Sequence, residues 1–189
     1  MNAQALKGKK VAILVADGFE QVELVQPKAA LEQAGASAAI VSPQEGQVQG
    51  WNHHDPADKF PVDQLLEQAR AEDFDALLLP GGVINPDALR IDASALAFVQ
   101  AFEKAGKPIA AICHGPWTLI DAGLVDGMRL TSWPSLRTDL CNAGATWVDE
   151  TVVVDGLLIT SRNPDDIPAF NREMVRVFSE AAAAQAASR

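Results

Sequence analysis

Four short, unbroken apolar runs constrain the fold of this chain more than any other feature. They are Lys10-Val11-Ala12-Ile13-Leu14-Val15, Ala38-Ala39-Ile40-Val41, Asp75-Ala76-Leu77-Leu78-Leu79 and Pro108-Ile109-Ala110-Ala111-Ile112. A strand with one wet face alternates apolar and polar side chains. A run without that alternation is covered on both faces, as in parallel sheets under helices. Helical segments separate the runs, at 22–34 (closed by Gly35) and at 94–105. Strands alternating with helices build βαβ units, so the expected class is α/β: a three-layer sandwich with a largely parallel sheet and helices on both faces. At 189 residues, nearly half of them apolar (48%), the chain suits one domain, 1–189, with a substantial core.

Other segments fill in around this frame. Residues 44–61 are polar and irregular, with 48–51 and 59–62 expected to pair as a small added hairpin. Residues 63–71 read as a short helix and 135–143 as another. Val152-Val153-Val154 and Leu157-Leu158-Ile159-Thr160 flank Asp155-Gly156, the turn pair of a tight hairpin. A last helix is expected over 165–187, with a frayed, Ala-rich end.

The fourth run ends in chemistry. Ile112 is followed by Cys113-His114-Gly115-Pro116-Trp117, a strand that turns through glycine into a helix expected to reach about 122. A side chain on such an elbow is lifted out of the sheet, and the N–H groups of the new helix favour a thiolate. Cys113 is therefore read as a nucleophile. Ligands of such sheets bind beyond the carboxyl ends of the strands. Two further segments converge there: Asp17-Gly18-Phe19-Glu20 and Pro80-Gly81-Gly82.

Each neighbour has competing readings. Glu20 is either the carboxyl partner of the thiol, with its pKa raised by burial, or an acid stabilised by a helix dipole. Glu23, one turn on, reads as capping or solvated. Gly81 and Gly82, with the N–H of His114, form either an oxyanion hole or a tight turn. Adjacent residues on extended chain point apart, so His114 is not assumed to deprotonate Cys113. A catalytic histidine needs an orienting carboxylate, and Asp87 in the 82–89 loop is the nearest candidate in sequence. Trp117, Trp133 and Phe19 suit either an apolar rim or the core.

Several classes are set aside. A net charge of -10 and a pI of 4.6 argue against nucleic acid and anionic membranes as general partners. Residues 1–10 lack the apolar segment of a secretory signal, and no apolar run approaches the roughly 18 residues of a membrane span. Two distant cysteines make no disulfide framework, so a reducing cytoplasm is expected, with Cys141 a buried thiol in a helix. His53-His54-Asp55, with Asp58, offers metal-ligand types at a spacing that matches no motif, and a solvated loop is the preferred reading. No Gly-x-Gly-x-x-Gly fingerprint or phosphate loop is present, and no cofactor is expected. All three histidines stand at or before position 114, which excludes a triad with a downstream histidine.

The quoted segments resemble the PfpI-type intracellular peptidase and general stress protein family, in the superfamily of the Parkinson's-linked stress protein. The matches are Asp17-Gly18-Phe19-Glu20-Gln21-Val22-Glu23-Leu24, the 74–82 strand with its Gly-Gly end, and the Ala-x-Cys-His-Gly-Pro elbow. Asn142-Ala143-Gly144-Ala145 and the segments 151–156 and 160–164 complete them. The resemblance implies a flavodoxin-like sandwich, with Cys113 as nucleophile and Glu20 hydrogen-bonded to its sulfur. It also implies a homo-oligomer, dimer or hexamer, in which the histidine meets a carboxylate from a neighbouring subunit. Pro86-Asp87 stands where peptidase-type members carry Pro-Glu, one methylene longer. The implied activities are cofactor-independent conversion of small reactive carbonyls or their adducts (glyoxalase or deglycase chemistry) and peptide or amide hydrolysis. A redox-sensing or chaperone-like stress role with little turnover is the alternative of another class.

Overall fold

The computed structural model describes residues 4–187. Residues 1–3 of the expected polar lead, and residues 188–189, lie outside the described residues. In chain order the elements are β1 (Lys10–Leu14), β2 (Phe19–Glu20), α1 (Gln21–Gln33), β3 (Ser37–Ser42), β4 (Gln47–Asn52), β5 (Asp55–Pro61), β6 (Gln64–Leu65), β7 (Ala76–Leu79), α2 (Ile84–Leu89), α3 (Ala93–Lys104) and β8 (Ile109–Ile112). They continue with α4 (Pro116–Asp121), β9 (Arg129–Leu130), α5 (Arg137–Asn142), β10 (Thr146–Trp147), β11 (Val152–Asp155), β12 (Leu158–Ser161) and α6 (Ile167–Ala187).

Seven strands form one sheet in the order β11-β12-β8-β7-β1-β3-β6. Every pairing in it is parallel except the β11–β12 hairpin. The unbroken runs are buried on both faces, as their composition requires. On β1, Val11 and Ile13 join Leu24 and Leu31 of α1 and Phe170 and Met174 of α6. Ala12 and Leu14 face the other way, toward Phe98 and Phe102 of α3 and Leu119 of α4. The same alternation runs through β7 and β8, giving two cores and three layers. Each large apolar side chain so buried contributes about 1.5–3 kcal/mol. No described helix is long and apolar enough to cross a membrane.

The chain leaves β1 toward β3 on one side and leaves β7 toward β8 on the other. The sheet order therefore reverses between β1 and β7, which opens a crevice at their carboxyl ends. The small hairpin β4–β5 flanks that crevice, because β2, directly after β1, pairs in parallel with β4 (Phe19 with Gly50, Glu20 with Trp51). Asp17 fastens it further, accepting from Gln49 N (2.7 Å) and Gln44 Nε2 (2.9 Å).

Two expectations need correction. Residues 63–71 are not a helix: β6 adds to the sheet edge beside Val41 and Ser42, and Asp63 Oδ2 accepts from Ile40 N (2.7 Å). Only single 3-10 turns, Leu66–Gln68 and Ala71–Asp73, follow. Edge pairing won over local helix propensity. Conversely, the expected 82–89 loop holds α2. Its Pro86 stands in the first turn, where a missing N–H costs nothing. Asn85, fully buried, accepts from Ala16 N (2.7 Å) and donates to the carbonyls of Pro80 and Gly81 (both 3.0 Å). One side chain thus clamps the ends of β1 and β7 together.

Candidate active site

Beyond the end of β8, Cys113 adopts φ +61°, a region non-glycine residues seldom enter. Its backbone is held on both sides: Cys113 N donates to Ser161 O (3.0 Å), and Trp133 N donates to Cys113 O (2.9 Å). The surrounding sheet maintains the strain, as at other nucleophile elbows. The left-handed turn also ends the extended segment, so neighbouring side chains no longer diverge. His114 Nδ1 lies 3.2 Å from Cys113 Sγ.

The carboxyl group at the sulfur belongs to Glu23, not to the expected Glu20. Glu23 sits in the first turn of α1, 0% exposed, and hydrogen-bonds with the Cys113 side chain. Its Oε2 accepts from Gly81 N (2.8 Å), while Oε1 is buried without a partner of good hydrogen-bond geometry and is free to carry a proton. Glu20 is drawn away by the pairing of β2. Its Oε2 accepts from His53 N (3.0 Å), with His53 Nδ1 at 3.7 Å.

The Gly-Gly pair is required by close approach. A Cβ on Gly81 would lie 2.6 Å from both Cys113 Cβ and Glu23 Oε2. On Gly82, at φ +76°, it would lie 2.3 Å from Gly18 O. Of the three backbone donors expected to serve the site, those of Gly82 and His114 reach the Cys113 sulfur. The third, from Gly81, is engaged by Glu23.

Burial decides the protonation of this site. It pushes the Glu23 carboxyl from 4.5 up to about 8, against the lowering effect of the Gly81 N–H and the Cys113 contact. Glu20 adds a smaller like-charge push. Burial also raises the Cys113 thiol, as does an ionised Glu23, while the Gly82 and His114 N–H groups pull it down. The helix start, with a neighbouring acid, was expected to keep this sulfur ionised, and desolvation outweighs it. Glu23 and Cys113 therefore titrate as a unit. It carries two protons below about pH 8 and one above. In the one-proton state the burial of the sulfur and the charge on Glu23 favour the proton on sulfur, and its transfer to Glu23 gives a thiolate facing two backbone donors.

His114 is buried between two indoles, stacked on Trp133 (5.9 Å, 23°) and edge-on to Trp117 (5.5 Å, 65°). Desolvation lowers its pKa from 6.5 to about 4, so it is neutral at pH 7. Its Nε2 faces Ser135 Oγ at 3.4 Å. Among the described residues no carboxylate pairs with it; Asp87 is exposed on α2. Trp133, 39% exposed, is the rim residue, whereas Phe19 is in the core against Phe60.

The remaining candidates lie apart. Asp58 and Gln21 hydrogen-bond reciprocally, Gln21 Nε2 to Asp58 Oδ2 and Asp58 N to Gln21 Oε1 (both 2.8 Å). The described residues contain no group of three or more His, Cys, Asp or Glu arranged for a metal. Cys141, expected buried, is exposed, because Leu140 is the inward residue of α5. Sequence reasoning missed Glu23, Asn85 and Ser135. Only Glu23 had a visible signal: with Leu24, Pro27, Ala30 and Leu31 it falls on the buried stripe of α1.

Known proteins carry the same arrangement of strands. The chain is 44% identical over 170 residues to Putative cysteine protease YraA of Bacillus subtilis, covering 90% of this chain and 98% of that one. It is 40% identical over 169 residues to Deglycase TK1284 of Thermococcus kodakarensis, covering 89% and 99%. The crystal structure of Drosophila melanogaster DJ-1beta superimposes with a TM-score of 0.80 at 30% identity, over 94% of this chain and 97% of that one. The sequence profile of the DJ-1/PfpI family matches residues 9–177, taking in β1, the Gly-Gly turn, the cysteine elbow and the first half of α6, and the chain belongs to that family.

Proposed function

We propose that this chain is a cofactor-independent enzyme in which Cys113 attacks reactive carbonyls or their adducts. The single observation that carries the reading is the buried Glu23–Cys113 pair, with the acid held protonated up to about pH 8. For a 2-oxoaldehyde the steps balance without an added oxidant or reductant. The thiolate adds to the aldehyde carbon, and the resulting oxyanion takes the proton from Glu23, giving a hemithioacetal. Glu23, now a carboxylate beside the adduct, removes the former aldehyde hydrogen as a proton. Reprotonation at the neighbouring carbon leaves a thioester. Water cleaves that thioester to a 2-hydroxy acid and returns the thiol. In this reading the N–H groups of Gly82 and His114, which reach the sulfur, also serve the developing oxyanion. The names of the relatives, a deglycase among them, favour the same class.

Peptide hydrolysis is the second reading, favoured by the contact between Cys113 Sγ and His114 Nδ1. It requires a carboxylate to raise the basicity of a histidine now held near 4, and among the described residues none pairs with it. A neighbouring copy in a cytoplasmic homo-oligomer is the source we infer for that reading. The deciding experiment is a turnover panel of methylglyoxal, glyoxal and a fluorogenic peptide on the wild type and on Cys113→Ala. We expect 2-oxoaldehyde loss in the wild type and none above buffer in the variant, with an unchanged circular dichroism spectrum. Residual full activity in Cys113→Ala overturns the reading, and peptide cleavage without aldehyde loss replaces it with the second.

A further inference from the structure

Ser135 reaches the active site through the far side of His114. The segment that carries it is fixed at several points. Trp133 N donates to the Cys113 carbonyl, and a 3-10 turn (Pro134–Leu136) closes with Leu136 N donating to Trp133 O (3.0 Å). Leu136 is fully buried. Ser135 Oγ is thereby set 3.4 Å from His114 Nε2, while Nδ1 of the same ring lies 3.2 Å from Sγ. The two indoles clamp the ring, so neither nitrogen can swing away. A neutral imidazole has one N–H to give and one lone pair to fill.

The geometry points to Ser135 as a positioning residue whose hydroxyl donates to His114 Nε2 and thereby places the imidazole proton on Nδ1, aimed at the Cys113 sulfur. His114 is then a hydrogen-bond donor to the thiolate, the third beside the two backbone N–H groups, and not its base. The low basicity of the ring agrees with this, since a ring neutral at pH 7 accepts no proton from sulfur. The inference rests on the reading of Cys113 as the nucleophile. Its readout is ionisation of the sulfur, which does not depend on which substrate turns over.

The test measures alkylation of Cys113 by iodoacetamide against pH, by mass spectrometry of its peptide so that the exposed Cys141 is counted separately. The wild type, Ser135→Ala and Ser135→Thr are compared. Loss of one hydrogen bond to the ring is expected to move the Ser135→Ala midpoint up by roughly half a pH unit. Alkylation at pH 7 should then slow about three-fold. Ser135→Thr, which keeps the hydroxyl, restores the wild-type profile. In parallel, imidazole nitrogen NMR of His53→Gln/His54→Gln, in which His114 is the one histidine left, should show the Nδ1–H tautomer above the midpoint. An Nε2–H tautomer, an unmoved Ser135→Ala profile, or a shift that threonine fails to restore each overturns the proposal. If the profiles behave as expected and no carbonyl substrate turns over, the enzyme reading fails and this inference stands.

Discussion

Glu20 and Glu23 lie three residues apart at the start of one helix, yet occupy opposite kinds of environment. Glu20 closes β2 beside the hairpin, meeting the backbone N–H of His53 and an imidazole whose side chain is 79% exposed. Glu23 points into the apolar stripe of α1 and meets a sulfur and a backbone N–H in a dry site. The first acid is nearly as buried but is met by a backbone N–H and an exposed imidazole; the second has no such cation beside it and is kept neutral by burial. Distance along the chain from the strand end does not select the catalytic acid. The face of the helix does.

The sharpest way to break the comparison is to neutralise each acid in turn. Glu23→Gln keeps the shape and the Gly81 hydrogen bond but cannot exchange a proton, and should lower turnover by about 10²–10⁴-fold. Glu20→Gln should change it by less than about three-fold, the scale expected of a pair with an exposed partner. It should also move the Glu23 titration slightly downward from its wild-type midpoint near 8, because a like charge beside Glu23 has been removed. Equal losses in the two variants, measured as kcat/KM, would erase the distinction drawn here.

Stability against pH probes the same contrast at smaller scale. The Glu23 carboxyl is raised from 4.5 to about 8, so its contribution is fully present below pH 4.5 and is lost as pH rises to 8. The whole swing is a few kcal/mol. His114 runs the other way: its pKa is lowered from 6.5 to about 4, so its contribution is absent at pH 4 and complete above 6.5. The two slopes oppose each other between pH 4.5 and 6.5, and Glu23 alone remains between 6.5 and 8. Urea denaturation of the wild type should therefore show stability falling across that upper window. Glu23→Gln should be flat there. A decline that survives in the variant would assign the effect to another group.

Much of this was legible in the sequence, for a local reason. The four apolar runs, the Asp155-Gly156 hairpin and the elbow at Cys113 are specified by neighbours within a few residues, and they stand where their pattern puts them. Gly81 and Gly82 were likewise readable as a close approach. What failed depends on distant contacts: β6 forms because Val41 and Ser42 offer an edge, and α2 packs around Asn85, whose acceptor role serves a backbone N–H 69 residues away. Ser135 reaches the site only through the Trp133–Cys113 backbone bond. Glu23 is the instructive case, because its place on the buried stripe of α1 was visible and a polar side chain there was taken for a cap.

The smallest effect concerns the second non-glycine residue with positive φ. His53, at φ +56°, turns the hairpin tip, whereas Cys113, at φ +61°, is the elbow. If only the elbow's strain serves chemistry, His53→Gly should relieve the tip and keep its N–H on Glu20. The gain in native backbone ease is about 1 kcal/mol. Greater freedom in the unfolded chain offsets most of it. The net change in urea midpoint should be small, within about 0.5 kcal/mol, and turnover should match the wild type. A fall in kcat would mean that the imidazole over Glu20 reaches the chemistry after all, and the two acids would have to be treated as one network.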